Sequence, residues 1–591
     1  MNAGARAPRA ETPIESLSRD ARGWSVAEVD EAGAQRLADA LGCTRALSRL
    51  LVARGYTDLS EAEPFLRPSL RALHPPQEIP DIDTAANTLA TAVRSREKIC
   101  IYGDYDVDGL SATALLVRVL QSLGAEVETY VPNRLTEGYG VNVAAVERIA
   151  ADGVRLIVTV DGGSNDHVAL GRARELGVQV IVTDHHPVYR VDPELLLVHP
   201  GRPDHPTRSQ SLAGVGVAYK LVWALGQALS GDSRVGEGYR ELMVSLLSLV
   251  ALGTVADVVP LLDENRALVH YGLRELAIDP GVGVRELMRV CQLDPDAVNA
   301  EDVAFRLAPH LNAAGRMGAA EEALELLLCD DQERARELAQ RLATANRRRK
   351  EIEKSMVEAC EEQIESGAFD LTGGRPLVLA DRGWHSGVAG IVASRLVDRY
   401  RRPTFVIAID DEGLGRGSAR TVENLPLDNL YDAGREIARS IGGHAMAGGV
   451  SVEEADIERF RSAVVEAGAD FPEGDRALRV DARLTVEELT PRFYDEVDRL
   501  APFGQKNPVP RFLIEPVTLA GQPRLVGKDE SHLVFSVKGS RRARRAICFG
   551  GASWAPRLVQ AKRPFAVVAE LSRNVFNGET RHELRIVDIG L

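Results

Sequence analysis

The sequence predicts an α/β protein: a mostly parallel sheet, a second α/β domain joined to it by a long helix, and a small C-terminal β-barrel. Three observations carry this. Between residues 76 and 290, apolar runs of strand length alternate with helical stretches, the pattern of a parallel sheet. From Ala319 to Glu365 there is no Pro and almost no Gly, and Leu, Glu, Ala, Arg and Lys dominate. From 475 to 591, short strand-like runs recur with turns between them.

Taken in order, residues 1–75 read as a mixed N-terminal extension. Its Ala- and Arg-rich start, with two prolines, is expected to be disordered. Residues 76–318 form the first domain, and 319–366 a connector of one helix or two in succession. Residues 367–470 return to α/β alternation, with Pro376-Leu-Val-Leu-Ala, a helix from Val388, and Thr404-Phe-Val-Ile-Ala. Residues 475–591 carry Leu533-Val-Phe-Ser-Val, Ala546-Ile-Cys-Phe and Phe565-Ala-Val-Val-Ala as barrel strands.

Composition sets limits. A chain of 591 residues suggests three or four domains. No apolar run is long enough to span a membrane and residues 1–20 lack an apolar core, so neither a membrane protein nor a secretory signal is expected. Six cysteines are scattered singly with no CxxC pair, which argues for reduced thiols in a cytoplasm and against a zinc ribbon. The net charge of −15 excludes global attraction to nucleic acid, so any such contact must use local basic clusters.

The chemistry begins at Asp104-Tyr-Asp106-Val-Asp108-Gly109, behind the apolar run Ile99-Cys-Ile-Tyr. Alternation along an extended chain would place all three carboxylates on one side, where they repel unless cations lie between them. Gly109 would allow a tight turn into a helix starting at Leu110. A calcium loop is disfavoured, because the EF-hand pattern needs Gly at its sixth position and Glu at its twelfth. Leu156-Ile-Val-Thr-Val runs into Asp161-Gly-Gly, and Val178-Gln-Val-Ile-Val-Thr into Asp184-His185-His186. The apolar run Leu246 to Val255 leads to Asp257. A lone Asp after a strand is usually a cap, but four such endings, one with adjacent histidines, are not explained by capping. Carboxylates with imidazoles suit Mn, Fe or Zn, and the carboxylate majority favours Mn or Mg. The surplus of ligands suggests two ions clamping a phosphoryl transfer.

In this order, Asp104-x-Asp106-x-Asp108, Asp161, Asp184-His185-His186 and Asp257 resemble the motifs of the DHH phosphoesterase superfamily. Leu311-Asn-Ala-Ala-Gly-Arg316, Gly383-Trp-His-Ser-Gly-Val388, Gly442-Gly-His444-Ala-Met-Ala-Gly-Gly449 and Pro502-Phe-Gly-Gln-Lys-Asn-Pro508 are similar to its RecJ exonuclease family, from about residue 60 onward. The resemblance implies a DHH domain, a DHHA1-like domain and an OB-fold. It also implies 5′ to 3′ degradation of single-stranded DNA to mononucleotides, in DNA repair and recombination, with two divalent cations, Mn2+ or Mg2+. Asp161 would bridge the ions. Asp108, His185 and Asp257 would complete one, and Asp106 with Asp104 the other. His186 would contact phosphate or donate a proton, and Asp184 would hold a histidine ring from behind. Arg134, in the glycine-rich loop Pro132–Gly140, with Arg316, Ser418 and Arg420, would hold the strand and its 5′ phosphate, arginine being a two-pronged phosphate ligand. Gly443 and His444 would offer a backbone phosphate nest or, equally, a helix stop with a packed histidine. A helicase and a single-strand-binding protein are candidate partners, and a monomer is expected.

Arg347-Arg-Arg-Lys350 on the connector reads as a solvated face, and Arg541-Arg-Ala-Arg-Arg545 as a stretch that could track a backbone. The sequence departs from the family at Asp161-Gly-Gly-Ser-Asn, where Asp-Asn-Gly is usual. His310 replaces the usual Arg, and Gly448-Gly449 the usual Ala-Gly. Two rivals remain: a DHH phosphodiesterase on small or cyclic nucleotides, and a non-catalytic single-strand-binding scaffold.

Overall fold

The computed structural model describes residues 11–14, 23–474, 477–576 and 579–591. The expected disorder at the N-terminal start falls outside the described residues. The chain divides into two compact units, one of His74–Val259 with Tyr271–Asp475, the other of Met1–Leu73, Pro260–His270 and Arg476–Leu591.

The first unit begins with a five-stranded sheet made of β1 (Ile99–Tyr102), β2 (Val127–Tyr130), β3 (Leu156–Val160), β4 (Gln179–Thr183) and β5 (Leu196–Val198), in the order β2-β1-β3-β4-β5. All four pairings are parallel. Every residue of β1 and β3 is buried, which is why their sequences read as continuous Val, Ile and Leu rather than alternating. Helix α1 (Val107–Ser122) packs against α2 (Gly214–Ser230) and α3 (Leu247–Ala256), and all three are apolar around most of their circumference. The fourth apolar run is therefore a helix, ending at Asp257. With Glu237–Ser245 before it, it makes a stretch of 20 residues apolar enough to cross a membrane, but most of that stretch is buried within this unit.

Two sequence expectations change here. The segment Asp104–Asp108 is not extended: α1 starts at Val107, so Asp106 is its N-cap and Asp108 lies in its first turn. Gly109 is not a turn before the helix but part of it. A Cβ there would lie 2.7 Å from the Asp104 backbone nitrogen, so glycine permits the close crossing of helix and loop.

After α4 (Ala308–Arg316), the connector is two helices in succession, α5 (Ala320–Leu328) and α6 (Gln332–Gln363), with Asp331 capping α6. The second sheet comprises β6 (Leu377–Asp381), β7 (Thr404–Ile409), β8 (Leu414–Arg420), β9 (Ser440–His444) and β10 (Ala447–Glu453), ordered β9-β10-β8-β7-β6. Only β6 and β7 are parallel. Helix α7 (Ser386–Tyr400) packs on β7 and β8.

In the second unit, strand Phe512–Leu519 pairs with Phe565–Phe576 on one side and with His532–Lys538 on the other, which closes a barrel. The residues expected to form an extension of their own belong to this unit: Trp24–Ala27 pairs in parallel with Leu478–Val480, and Leu47, Leu50 and Phe65 share one core with Phe493, Phe512 and Val567. Arg266 is a buried cation in this unit. Its guanidinium donates to the carbonyls of Phe65 (2.7 Å), Leu500 (2.8 Å), Arg499 (3.1 Å) and Ala501 (2.9 Å), and stacks 4.0 Å from the Phe65 ring centroid. Burial pulls its pKa down to about 10. Four carbonyls thus turn to a single side chain. Arg266→Met should leave them unsatisfied and destabilise this unit by about 3 kcal/mol or more. Chemical denaturation followed by the tryptophan signal would show this, and a midpoint unchanged from wild type would refute the role.

Candidate metal centre

The parallel sheet sets the site, because β1, β3 and β4 all end at one edge. Asp104 follows β1, Asp161 follows β3, and Asp184-His185-His186 follows β4. This is the edge where open parallel sheets place ligands. Asp161 takes φ 59°, a left-handed turn that Asp tolerates. Asp257 arrives from a different direction, as the C-cap of α3.

These groups converge. His185 Nε2 lies 3.2 Å from Asp161 Oδ1, 3.5 Å from Asp257 Oδ2 and 3.9 Å from Asp108 Oδ2. Three sets of donor atoms each lie within 4.8 Å of one another: Asp161 with His185 and His186, Asp108 with His185 and Asp257, and Asp104 with Asp106 and Asp161. Asp161 and His185 each belong to two of the sets, and Asp161 links the set that holds Asp104 and Asp106 to one that holds His185. Asp104 Oδ1, Asp161 Oδ1, His185 Nε2 and Asp257 Oδ2 are buried without a hydrogen-bond partner. Orphaned acceptors at one point, carboxylate-rich with one imidazole, fit a divalent cation of the Mn2+ or Mg2+ type.

Electrostatics point the same way. Burial, then the charge of Asp108, holds Asp161 well above the usual carboxylate range. Burial, then Asp106, does the same to Asp104. Asp108 is pushed up to about 7 by burial and Asp106, although the backbone N–H groups of Val215 and Gly214 oppose this. Asp257 is pushed up to about 9 by burial and Asp108. Burial and the neighbouring His186 hold His185 down at about 3, so it is a neutral ligand near neutrality.

Close backbone approach makes the cluster possible. Asp108 accepts from Gly214 N at 2.6 Å and Val215 N at 2.9 Å, which ties α1 to the start of α2. A Cβ on Gly214 would lie 2.6 Å from Asp161 Oδ1, and one on Gly253 would lie 2.6 Å from Asp108 Oδ1. Asp184 is held from several directions. Its Oδ1 accepts from the His185 and His186 backbone N–H groups and meets His186 Nδ1 at 2.9 Å, while its Oδ2 accepts from Ser164 N at 3.1 Å. Burial alone would raise the Asp184 pKa, but the His186 ring outweighs it and the carboxyl stays ionised. In return, although burial opposes the charge, Asp184 raises His186 to about 9. Tyr139 OH lies 3.2 Å from His186 Nδ1 and donates to the Asp161 carbonyl at 3.4 Å. Sequence reasoning did not single out Tyr139, Gly214 or Gly253. The available signal for Tyr139 was its place between Gly138 and Gly140, which the structure shows to take positive φ.

The arginines gather beside the carboxylates. Arg134 stacks 4.8 Å from the Tyr105 ring centroid. Arg316 ends α4 and donates from Nη1 to the carbonyl of Gly387, at the start of α7, at 3.1 Å. Burial, then the charges of Arg134, Arg349 and Arg420, pulls Arg316 down to about 10. Ser418 and Arg420 lie on β8 against Gly390 of α7, where a Cβ would lie 3.1 Å from Arg420 Nη2 and 3.3 Å from Ser418 Oγ. Gly443 and His444 are exposed on β9, with His444 opposite Ala447 and Arg420 opposite the same residue. They belong to a strand, so the helix-stop reading falls. Nor is Arg347–Lys350 a uniformly solvated face: Arg349 is buried and donates to Asn346 at 3.1 Å and Glu353 at 2.7 Å. His310 bonds the turn before its helix, with Nδ1 2.6 Å from the Arg306 carbonyl. In the barrel stretch, Arg544 donates to the Leu489 carbonyl and Arg545 pairs with Glu583.

Comparison with known proteins agrees with this architecture. Residues 98–254 match the model of the DHH family N-terminal domain, 373–469 that of the DHHA1 domain, and 480–588 that of the RecJ OB domain. The single-stranded-DNA-specific exonuclease RecJ of Bacillus subtilis is 36% identical over 573 residues, covering 96% of this chain and 70% of that protein. The crystal structure of RecJ from Thermus thermophilus with Mn2+ superposes with a TM-score of 0.81 at 32% identity, covering 97% of this chain and 80% of that one. The same protein with Mg2+ gives 0.74 at 30% identity, covering 96% and 78%. A DHH-type sheet edge, a DHHA1 domain carrying arginines and a closed C-terminal barrel thus occur in one chain in the expected order, and the chain belongs to the RecJ family of single-stranded-DNA-specific exonucleases.

Proposed function

We propose that the protein is a metal-dependent exonuclease that hydrolyses single-stranded DNA from its 5′ end and releases mononucleotides. The observation that carries this is the convergence of four buried, unpartnered ligand atoms, one of them on the shared carboxylate Asp161. Asp161, Asp108, His185 and Asp257 would hold one Mn2+ or Mg2+, and Asp161 with Asp106 and Asp104 the other. Bound cations of this kind lower the pKa of an attacking water and offset charge on phosphoryl oxygens.

The chain's own residues do the rest. Asp106 is the N-cap of α1, accepting from Asp108 N at 3.0 Å and Gly109 N at 3.2 Å, which fixes its rotamer. His186 holds a proton because Asp184 holds His186, and its ring faces the same cluster, where it serves to protonate a leaving oxygen. Arg134 comes from the first domain and Arg420 with Ser418 from the second, so a phosphate held by both fixes the strand end across the two. A terminal phosphate contact explains exonuclease rather than endonuclease action. A small cyclic dinucleotide would leave the barrel without a role. The proposal includes a cytoplasmic location, a monomer, and a helicase and a single-strand-binding protein as suppliers of single strands.

A 5′-labelled single strand, the matching blunt duplex and a cyclic dinucleotide, each with Mn2+ or Mg2+, separate the readings. Mononucleotide release from the single strand alone is expected, and equal rates on the duplex would sink the proposal. Asp161→Ala should abolish hydrolysis while single-strand binding survives, since one bridging carboxylate serves both ions. Near-normal turnover by a folded variant would remove the two-cation assignment.

Protons and cations compete for the same carboxylates. In the metal-free protein, a carboxyl with a raised pKa favours the fold below the ordinary carboxylate range. That contribution is lost as pH rises through about 7 for Asp108 and about 9 for Asp257. Cation binding removes the repulsion, so the rise in Tm on adding Mg2+ should grow from pH 6 to pH 9. A rise that is flat or falls over this range would contradict the assignment.

Arg420→Ala leaves every proposed ligand in place. It should lose the preference for 5′-phosphorylated over 5′-hydroxyl ends by about 1.5–3 kcal/mol, the range for hydrogen bonds to charged groups. Paired kcat/KM values on the two strand ends measure it, and an undiminished preference would remove Arg420 from the phosphate pocket.

A further inference from the structure

Among the described residues, nine other than glycine have positive φ. Eight of them carry polar or charged side chains, and the ninth is Val258, at φ 60°. The left-handed region brings Cβ against a carbonyl oxygen, and a branched Cβ suffers most. Val258 follows Asp257, the C-cap of α3, so it stands where glycine usually ends a helix. Little in its surroundings offsets the strain. Its N–H reaches the Val255 carbonyl only at 3.4 Å, and the residue is 63% exposed, so its isopropyl group adds little to the core.

Its place is more informative. Asp257 Oδ2 faces His185 Nε2 at 3.5 Å, and the His185 and His186 rings lie 4.4 Å apart. Tyr139, 53% exposed, meets His186 at 3.2 Å. The chain of neighbours Tyr139, His186, His185, Asp257, Val258 therefore carries the proposed ligand groups in its middle and an exposed side chain at each end, that of Tyr139 tied down through its hydroxyl and that of Val258 wholly apolar. Val258 is the next residue after Asp257, and a carboxylate holds its cation at about 2.0–2.6 Å, so the exposed Val258 borders the space that a nucleotide held at that cation would fill.

We infer that Val258 is a substrate contact: its isopropyl group packs on the sugar and base of the nucleotide beside the scissile phosphate. The contact is apolar and independent of sequence, and the strained backbone is what aims it. This rests on the reading of the centre as a single-strand phosphodiesterase site.

Val258→Gly and Val258→Asn test it, since both residues accept this backbone. Neither variant should melt below wild type, and the Asn variant should melt above it. KM for a single-stranded oligonucleotide should rise about five- to tenfold in both, the effect of losing one aliphatic contact, with kcat changed less than about twofold. A KM within about twofold of wild type in both variants would overturn the contact, because one buried aliphatic group is worth more than that. Melting below wild type in both would overturn the strain argument and the inference with it. A wild-type protein that leaves the single strand uncut would fail the underlying reading, which is a different result from either.

Discussion

Mutual repulsion among buried carboxylates is the constraint on which the first unit turns. Asp104, Asp108 and Asp161 are each at most 6% exposed, with Asp106 and Asp257 beside them. Such a cluster is unfavourable for a fold on its own. Much of the surrounding architecture answers it. Parallel strands bring two of the carboxylates to one edge, the N-terminus of α2 gives hydrogen bonds to Asp108, and glycines at 214 and 253 let helices approach where any side chain would collide. Asp184 is kept apart from the cluster's logic. It is ionised because backbone N–H groups and the His186 ring satisfy it, and it transmits its charge to that ring rather than to a cation.

A cluster of the opposite charge is gathered from both α/β domains and the connector between them. Arg316 is partly buried, and its neighbours in charge are three other arginines, Arg134, Arg349 and Arg420. The four are drawn from the glycine-rich loop, α4, α6 and β8. Cations gathered this closely repel as the carboxylates do, and a polyanion relieves the repulsion. On the proposed function, a phosphate diester between the two clusters would meet arginines on one side and a carboxylate-held cation pair on the other. The protein carries a net charge of −15, so on that reading the local arrangement, not the overall field, would draw a strand in.

Much of this was legible in the residues. Continuous apolar runs identified β1, β3 and β4, and the polar residue after each run identified the sheet edge. Spacing was less reliable where a helix began early. Asp106 and Asp108 looked like alternate residues of an extended chain, but the N-cap preference of Asp106 set the helix start at Val107. Leu246 to Val255 has no period of its own, because a helix buried on all sides shows none. Pairings distant in sequence were beyond reach. Nothing local in Trp24–Ala27 announces a partner at Leu478–Val480, and nothing in Arg349 announces that Asn346 and Glu353 hold it in a buried position. Arg134, Arg316 and Arg420 could be named singly from motifs, whereas their meeting is a property of the fold alone.

The unit that carries the barrel is built from three separated stretches of chain, and this makes the barrel hard to remove. A chain shortened at about residue 475 would keep Leu47, Leu50, Leu51 and Phe65 but lose Phe493, Phe512 and Val567, against which they are buried. It would also keep Arg266 and lose three of its four carbonyl acceptors. The shortened protein would present a sticky apolar surface and a stranded cation, and would tend to self-associate. Inactivity in such a protein would report collapse of the N-terminal helices as readily as any lost grip on DNA. Surface substitutions on an intact barrel are what separate those two outcomes.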